Sequence, residues 1–328
     1  MKKIAGVICV AAGVAIGAYA LFVIRYPAPV LPRGAARATR LDRPPERPFI
    51  MFASMAADDT FYRLALAPLS DPAGPRFVSD LRCERLDFTN TRGVCLTTEF
   101  EGLTARYVAR VFDETFRIVG IVPLTGVPTR TRFSPDGSRA ALTVFESGHS
   151  YADAAFSTRT TLVDTLNGGL IEHLEAFAVS KDGAPFRRVD FNYWGVTFVD
   201  NDRFFATLAT GGIPYLVEGR IGSKTIRILR DHVECPSLSP DGTRLAYKRT
   251  TNRRGVWQLH LLDLGTMQDL ALTSESRSVD DQVEWLDLEH ILYQLPSSQG
   301  ADVWILKVDA AGPPVQLIPA ASSPAVVR

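Results

Sequence analysis

The sequence predicts an all-β fold, a six-bladed β-propeller preceded by one N-terminal transmembrane or signal helix, on three observations. A segment without a charged side chain, Ile4 to Ile24, opens the chain behind Lys2 and Lys3 and is closed by Arg25. Beyond it, a short apolar strand-like run recurs six times at spacings of about 40 to 64 residues, and periods near 40–50 residues are the size of propeller blades. After the opening segment, no stretch shows the 3.6-residue apolar period of an amphipathic helix.

A bilayer core takes about 20 apolar residues in helix, so residues 1–25 are long enough to span one. They are read as a retained anchor. A cleavable signal peptide is the alternative, because Ala18-Tyr19-Ala20 offers a small-x-small cleavage site. The flanking charges conflict. Lys2 and Lys3 favour a cytoplasmic amino terminus, whereas Arg25, Arg33, Arg37, Arg40 and Arg43 pull the other way under the positive-inside rule. A two-lysine start followed by an apolar run has the form of an export signal, and the body is expected outside the cytoplasm: single-pass in the cell membrane, or secreted if the signal is cleaved.

Residues 26–47 carry Pro27, Pro29, Pro32, Pro44 and Pro45. Proline at that density opposes both helix and β-ladder, which predicts a semi-extended spacer.

Residues 48–328 hold the repeat. Ser134-Pro135-Asp136-Gly137-Ser138-Arg139-Ala140-Ala141-Leu142 is echoed by Ser239-Pro240-Asp241-Gly242-Thr243-Arg244-Leu245-Ala246-Tyr247. Proline presets φ and glycine supplies the positive φ that lets a strand reverse. Weaker copies keep the frame at Phe198 to Ala206 and Trp285 to Tyr293, and earlier second strands begin near 49 and 93. Most units continue into a third and fourth strand, which is the content of a blade. Ser323-Pro324-Ala325-Val326-Val327 aligns with the innermost strand Cys235-Pro236-Ser237-Leu238. A C-terminal strand at 323–327 pairing with an N-terminal one at 49–54 would close the ring and remove two open edges.

These motifs resemble the TolB-like, WD40-like propeller repeats, whose inner strand ends in Ser-Pro-Asp-Gly ahead of an apolar strand. The chain as a whole resembles actinobacterial TolB-like translocation proteins. The resemblance covers residues 48–328 and implies a six-bladed propeller in the cell envelope with an interaction role.

The chain of 328 residues has 36 Lys+Arg against 36 Asp+Glu. With no basic run interleaved with aromatics, that balance argues against a nucleic-acid surface. Cys83 and Cys95 flank the turn-like Asn90-Thr91-Arg92-Gly93 and are read as a disulfide pinning a hairpin, with two half-buried thiols as the alternative. Cys235 is left as a buried thiol. No Cys/His cluster has zinc spacing, and no nucleophile elbow, phosphate-binding loop or His-Glu-x-x-His is present. No catalytic residue, metal ligand or cofactor is therefore assigned. His173 and His260 fall within strands and are read as satisfied structural histidines.

Loops joining strand four to the next inner strand, and strand two to strand three, share one face of a propeller. Long ones run from Glu146 to Ser157, with His149, Tyr151 and Asp153, and from Val179 to Asn192, with Lys181, Arg187, Arg188 and Asp190. Trp194 follows and is expected to point to the channel mouth. Loops on a rigid scaffold are the default place for binding. A second candidate is the mouth itself, where aligned inner-strand entries are Glu84, Trp194, Glu234 and Asp281, with Asp280 adjacent. Converging carboxylates there would suit a cation, or be neutralised by Arg82 and Arg130, leaving a solvated funnel. The expected role is a scaffold binding a protein or an envelope polymer. The alternatives are a propeller-type hydrolase or lyase using the channel mouth, and an assembly factor without a small-molecule ligand.

Overall fold

The computed structural model describes residues 38–41, 44–89, 91–153, 155–251, 253, 255–309 and 312–328. The N-terminal helix and most of the spacer lie outside the described residues. Among those described, no helix is long and apolar enough to cross a membrane, and the one helical element is a 3₁₀ turn, Leu174–Ala176.

The strands form six sheets. Five inner strands are Arg85–Thr89, Val127–Phe133, Asn192–Phe198, Glu234–Leu238 and Glu284–Trp285, and the sixth is Ala321–Val327. Each inner strand contacts the next around a full circuit, so the six sheets are blades of a closed propeller. Blade 1 takes its inner strand from the far end of the sequence: Phe49 opposes Val327, Ile50 opposes Val326 and Met51 opposes Ala325.

Packing follows from strand geometry. Successive side chains point to opposite faces of a sheet, and each blade is covered on both faces by its neighbours. The second strands therefore carry continuous apolar runs, such as Phe49-Ile50-Met51-Phe52-Ala53 and Ala140-Ala141-Leu142, rather than a strict apolar–polar alternation. In Phe49–Ser54 the residues Phe49, Met51 and Ala53 pack against Leu86, Phe88 and Phe112 of blade 2, while Ile50 and Phe52 pack against Leu292 and Val303 of blade 6. The other four blade junctions have clusters of the same kind.

The turn after the inner strand is built the same way in four blades, although two lack the Pro-Asp-Gly sequence. Asp136 Oδ1 accepts the Ser138 N–H at 2.8 Å, and Asp241 Oδ1 accepts Thr243 N–H at 3.1 Å. Asp200 Oδ1 accepts Asp202 N–H at 2.8 Å, and Asp287 Oδ1 accepts Glu289 N–H at 2.7 Å. An Asx turn is the common device. Glycine is needed where φ is positive, at Gly137 (73°) and Gly242 (72°).

Two expectations are corrected. The spacer does enter a ladder: Ala38–Arg40 lies parallel to Arg76–Val78 on the outer edge of blade 1, and Arg40 pairs with Asp80 at 3.1 Å. No proline falls within 38–40, so these N–H groups remain free to pair. Residues 179–192 are not one loop. Ala178–Lys181 and Ala184–Pro185 form a hairpin whose first strand runs parallel to Thr225–Arg227 on the edge of blade 4. Positive φ at Asp182 (52°) and Gly183 (78°) makes its tight reversal.

Candidate functional site

The face opposite the Asx turns carries a pocket of about 590 Å³ over blades 3 to 5. Its walls come from the loops between second and third strands, around Phe156, Gly211 and Gly255, and from the entries of two inner strands, Trp194 and Glu234.

Bulges in those inner strands aim the side chains. The register of Asn192–Phe198 against its neighbour slips between Trp194 and Thr197, and that of Glu234–Leu238 slips between Glu234 and Ser237. The residue following each named side chain is left-handed, Gly195 at φ 62° and Cys235 at φ 49°. A bulge bends a strand and re-aims the residues beside it. A left-handed cysteine costs conformational energy that its surroundings must hold in place. The two bulges touch: a Cβ at Gly195 would stand 2.6 Å from the Cys235 Cα.

The floor is aromatic. Tyr151 lies 5.1 Å from Trp194 and 5.4 Å from Phe156, ring centre to ring centre, and Phe156 meets Trp194 edge-on at 5.5 Å. Trp194 is 2% exposed and Tyr151 7%. The Trp194 indole nitrogen is buried without a hydrogen-bond partner among the described residues. Below the floor, fully buried Lys248 places its ammonium 4.2 Å from the Trp257 ring centre and 4.8 Å from that of Tyr151, a cation–π arrangement. The same ammonium bonds Asp280, which Arg130 also approaches at 3.6 Å. Burial works against the charge on Lys248, but Cys235, Asp280 and Glu234 outweigh it and its pKa is raised. Burial likewise opposes ionisation of Asp280, yet Lys248 and Arg130 bring its pKa below the usual value.

Glu234, 5% exposed, is held differently. Its Oε1 accepts the Trp257 indole N–H at 2.9 Å and the Thr250 hydroxyl. Both donors are neutral, and both bonds fall on one oxygen.

Of the ten residues singled out for binding, four line this pocket: Tyr151, Asp190, Trp194 and Glu234. Asp190 stands on the rim and accepts Thr210 Oγ1 at 2.6 Å and Gly211 N–H at 2.7 Å. His149, Arg187 and Arg188 are exposed outside the lining, with the Arg188 guanidinium over Phe186 at 4.5 Å. Asp153 folds its loop back by accepting the N–H groups of His149 and Ser150. Asp280 and Asp281 belong to the channel, where Asp281 accepts Gln294 N–H at 3.0 Å.

The carboxylates expected at the channel mouth do not converge. Glu84 accepts Thr98 N–H at 2.6 Å within blade 2, while Glu234 and Asp280 have the partners described above. Trp194 faces the aromatic floor rather than the channel, because its bulge turns it there. Among the described residues no group of three His, Cys, Asp or Glu stands close enough to share a metal. The channel is filled by side chains. Gln282 bonds the carbonyls of Val196 and Pro236, and a hole of about 30 Å³ remains beside Arg85, Arg130, Arg132 and Asp281, room for about one water. At its far end Asp87 is pushed up to about 6 by burial, against the pull of Arg132 and with the repulsion of Glu284.

Cys83 and Cys95 form a disulfide, both sides fully buried, and Cys235 is a buried free thiol. His173 meets Thr161, and His260 meets Asp269, each at 3.0 Å.

Phe156, Lys248 and Trp257 were not picked out from sequence. The lysine left a trace: a cation amid Leu245-Ala246-Tyr247, in a strand buried on both faces, needs an internal partner. A glycine within a strand, as at Gly195, marks a bulge. Nothing local announces the bulge at Cys235.

No protein-family model matches the chain, and no curated protein matches it either. Solved structures do. TolB from Acinetobacter baumannii superposes with TM-score 0.58 at 16% identity, over 85% of this chain and 66% of that one. A puromycin-hydrolyzing peptidase from Mycobacterium tuberculosis gives 0.52 at 12% identity, over 84% of this chain and 44% of that one. A chain of a nidogen/laminin complex gives 0.56 at 9% identity, over 86% and 99%. The chain thus spans just under two thirds of the TolB structure and less than half of the peptidase. At these identities the likeness is one of architecture, and by its six closed blades the chain has the TolB-like β-propeller fold.

Proposed function

We propose that the chain is a membrane-tethered, extracytoplasmic scaffold that binds a protein or an envelope polymer through its loop face and is not an enzyme. The observation that carries this reading is the aromatic pocket. Three loops and two bulged strands from three blades converge on it, and a concave, largely apolar site with a few placed polar groups is the usual form of a binding site. Its volume of about 590 Å³ lies within the range such sites occupy, about 300–1,000 Å³.

The compartment follows from chemistry. Disulfides persist in oxidising environments and are rare in the reducing cytosol, so the Cys83–Cys95 bond supports a position outside the cytoplasm, as does the export-like start of the sequence. Non-enzymatic action is supported by the site itself. Glu234 is occupied by Trp257 and Thr250, and Asp280 by Lys248 and Arg130, so neither carboxylate is poised over open space with a partner base or nucleophile. The likeness to a peptidase propeller favours the competing reading, a hydrolase.

The experiment is capture from solubilised membranes. Removing residues 146–157 would take Tyr151 out of the core, so a pocket-filling substitution at exposed Ala155 is preferable. Ala155→Trp should abolish capture of a partner that wild type recovers, while Leu166→Arg on the opposite face should not. Equal capture by Ala155→Trp would remove the site. Turnover of a peptide or glycan library by the soluble body would replace the scaffold with the enzyme. A reporter fused after Arg328 that is active only outside the cytoplasm should be active, and a silent one would reverse the localisation.

A further inference from the structure

Resting on the loop-face reading, we propose that the pocket recognises a basic side chain, a lysine or arginine presented by an extended polypeptide.

The charge is one-sided. Among the described residues, those lining the pocket include two acids, Asp190 and Glu234, and no Lys, Arg or His. The two acids near the floor are also unequally served. Asp280 has two cations, Lys248 and Arg130. Glu234, nearly as deep as the floor residues, has no ion-pair partner within 4 Å among the described residues, and its two hydrogen bonds come from neutral donors on Oε1. Among the described residues no hydrogen bond reaches Oε2. Lys248, its cross-strand neighbour, also acts on Glu234 but gives its ammonium to Asp280. A desolvated carboxylate whose hydrogen bonds come only from neutral donors favours a cation over a neutral or anionic guest.

The walls match the rest of such a side chain. Tyr151, Phe156, Trp194 and Trp257 provide apolar surface for an alkyl stem, and aromatic rings attract the cationic head. The chain already uses this chemistry on the buried side of the same rings, where Lys248 sits over Trp257 and Tyr151.

A hydroxyl-rich guest, such as an envelope sugar, fits less well. Apart from the Trp194 indole N–H, the polar side chains at the wall already have hydrogen-bond partners. Asn192 Oδ1 accepts Thr158 N–H, Thr210 donates to Asp190, and Thr250 donates to Glu234. What remains suits a ligand with one strong donor group on an apolar stem. The mouth admits a backbone, because Gly211 and Gly212 adjoin it and a Cβ at either would meet nothing within 4 Å.

The test is titration of the folded body, followed by the fluorescence of Trp194 and Trp257, with acetylated and amidated Gly-Lys-Gly and Gly-Arg-Gly. Controls carry acetyl-lysine or norleucine at the centre. At least one basic peptide should bind saturably, and both neutral controls should bind at least about tenfold more weakly. Glu234→Gln should lose a comparable factor. Ala155→Lys, an exposed substitution that places a competing cation at the rim, should do the same with the fold intact. Equal binding of the acetyl-lysine or norleucine peptide overturns the proposal. So does unchanged affinity in both variants, or no saturation by about 10 mM of either basic peptide. If partner capture falls in Ala155→Trp but persists in Glu234→Gln, the loop face remains the docking surface and the basic-side-chain assignment fails.

Discussion

The indole nitrogen of Trp257 donates to Glu234 Oε1 at 2.9 Å, tying the third strand of blade 5 to the bulged entry of its inner strand. Trp257→Phe keeps most of the ring and removes the donor. A buried acceptor that loses a partner costs about 1–3 kcal/mol, here at the lower end because Thr250 still donates. Urea unfolding should report that loss without a change in m. An unaltered midpoint would show that the bond adds nothing.

Gly195 meets two demands together, a φ of 62° and a Cβ direction that runs into the Cys235 backbone at 2.6 Å. Backbone cannot swing aside as a flexible side chain can. Gly195→Ala should therefore cost at least about 2 kcal/mol, from left-handed strain plus overpacking. It should also weaken ligand binding by moving Trp194. A variant as stable as wild type would mean the bulge relaxes freely.

The Cys83–Cys95 disulfide closes a short loop between the end of blade 1 and the second strand of blade 2. Closing a loop of this length stabilises by about 3 kcal/mol on the chain-entropy model. The Cys83→Ala/Cys95→Ala double variant should unfold at correspondingly lower denaturant. Wild type in excess reductant should approach it. Identical midpoints with and without reductant would argue that the bond is absent in solution.

Glu175 supplies a pH dependence. Burial pushes its carboxyl up to about 7 from 4.5, with nearby Glu146 adding to the rise, while backbone hydrogen bonds and Arg159 oppose it. One of its oxygens is buried without a partner. A folded-state pKa above the unfolded one means that the folded state binds the proton more tightly. Its contribution is complete below 4.5 and is lost as pH climbs through about 7. Asp87, raised to about 6 from 3.8, acts in the same sense. These two groups together should lower stability as pH rises between 4 and 8. Glu175→Gln should flatten part of that fall and be the more stable by about 2 kcal/mol at pH 8, allowing for partial solvent screening. A variant with the wild-type slope would place the titration elsewhere.

The blade architecture was legible because it is written locally. Strand periods and turn chemistry act over a few residues, and the second strands begin at 49, 92, 139, 203, 244 and 290, close to where the repeat frame put them. The same local physics explains the weaker copies: Asp200 and Asp287 cap their turns as Asp136 and Asp241 do, so the aspartate matters more than the proline and glycine around it. Where the reading went astray, the decisive partner was distant in sequence. Ala38–Arg40 became a strand because the edge of blade 1 offered unpaired groups, and residues 178–185 became a hairpin because blade 4 offered the same.

The sequence by itself determined six amphiphilic repeats, the turns between them and the residue types available to the loop face. Tertiary structure alone decided which of those residues meet. Trp194 and Glu234 reach one pocket because two bulged strands from different blades lie against each other. Asp280 left for Lys248, on a strand that no local pattern links to it. The physical reason is range. Backbone preferences are set by near neighbours, whereas a buried charge or an aromatic ring settles wherever the closed ring brings a partner within a few ångströms.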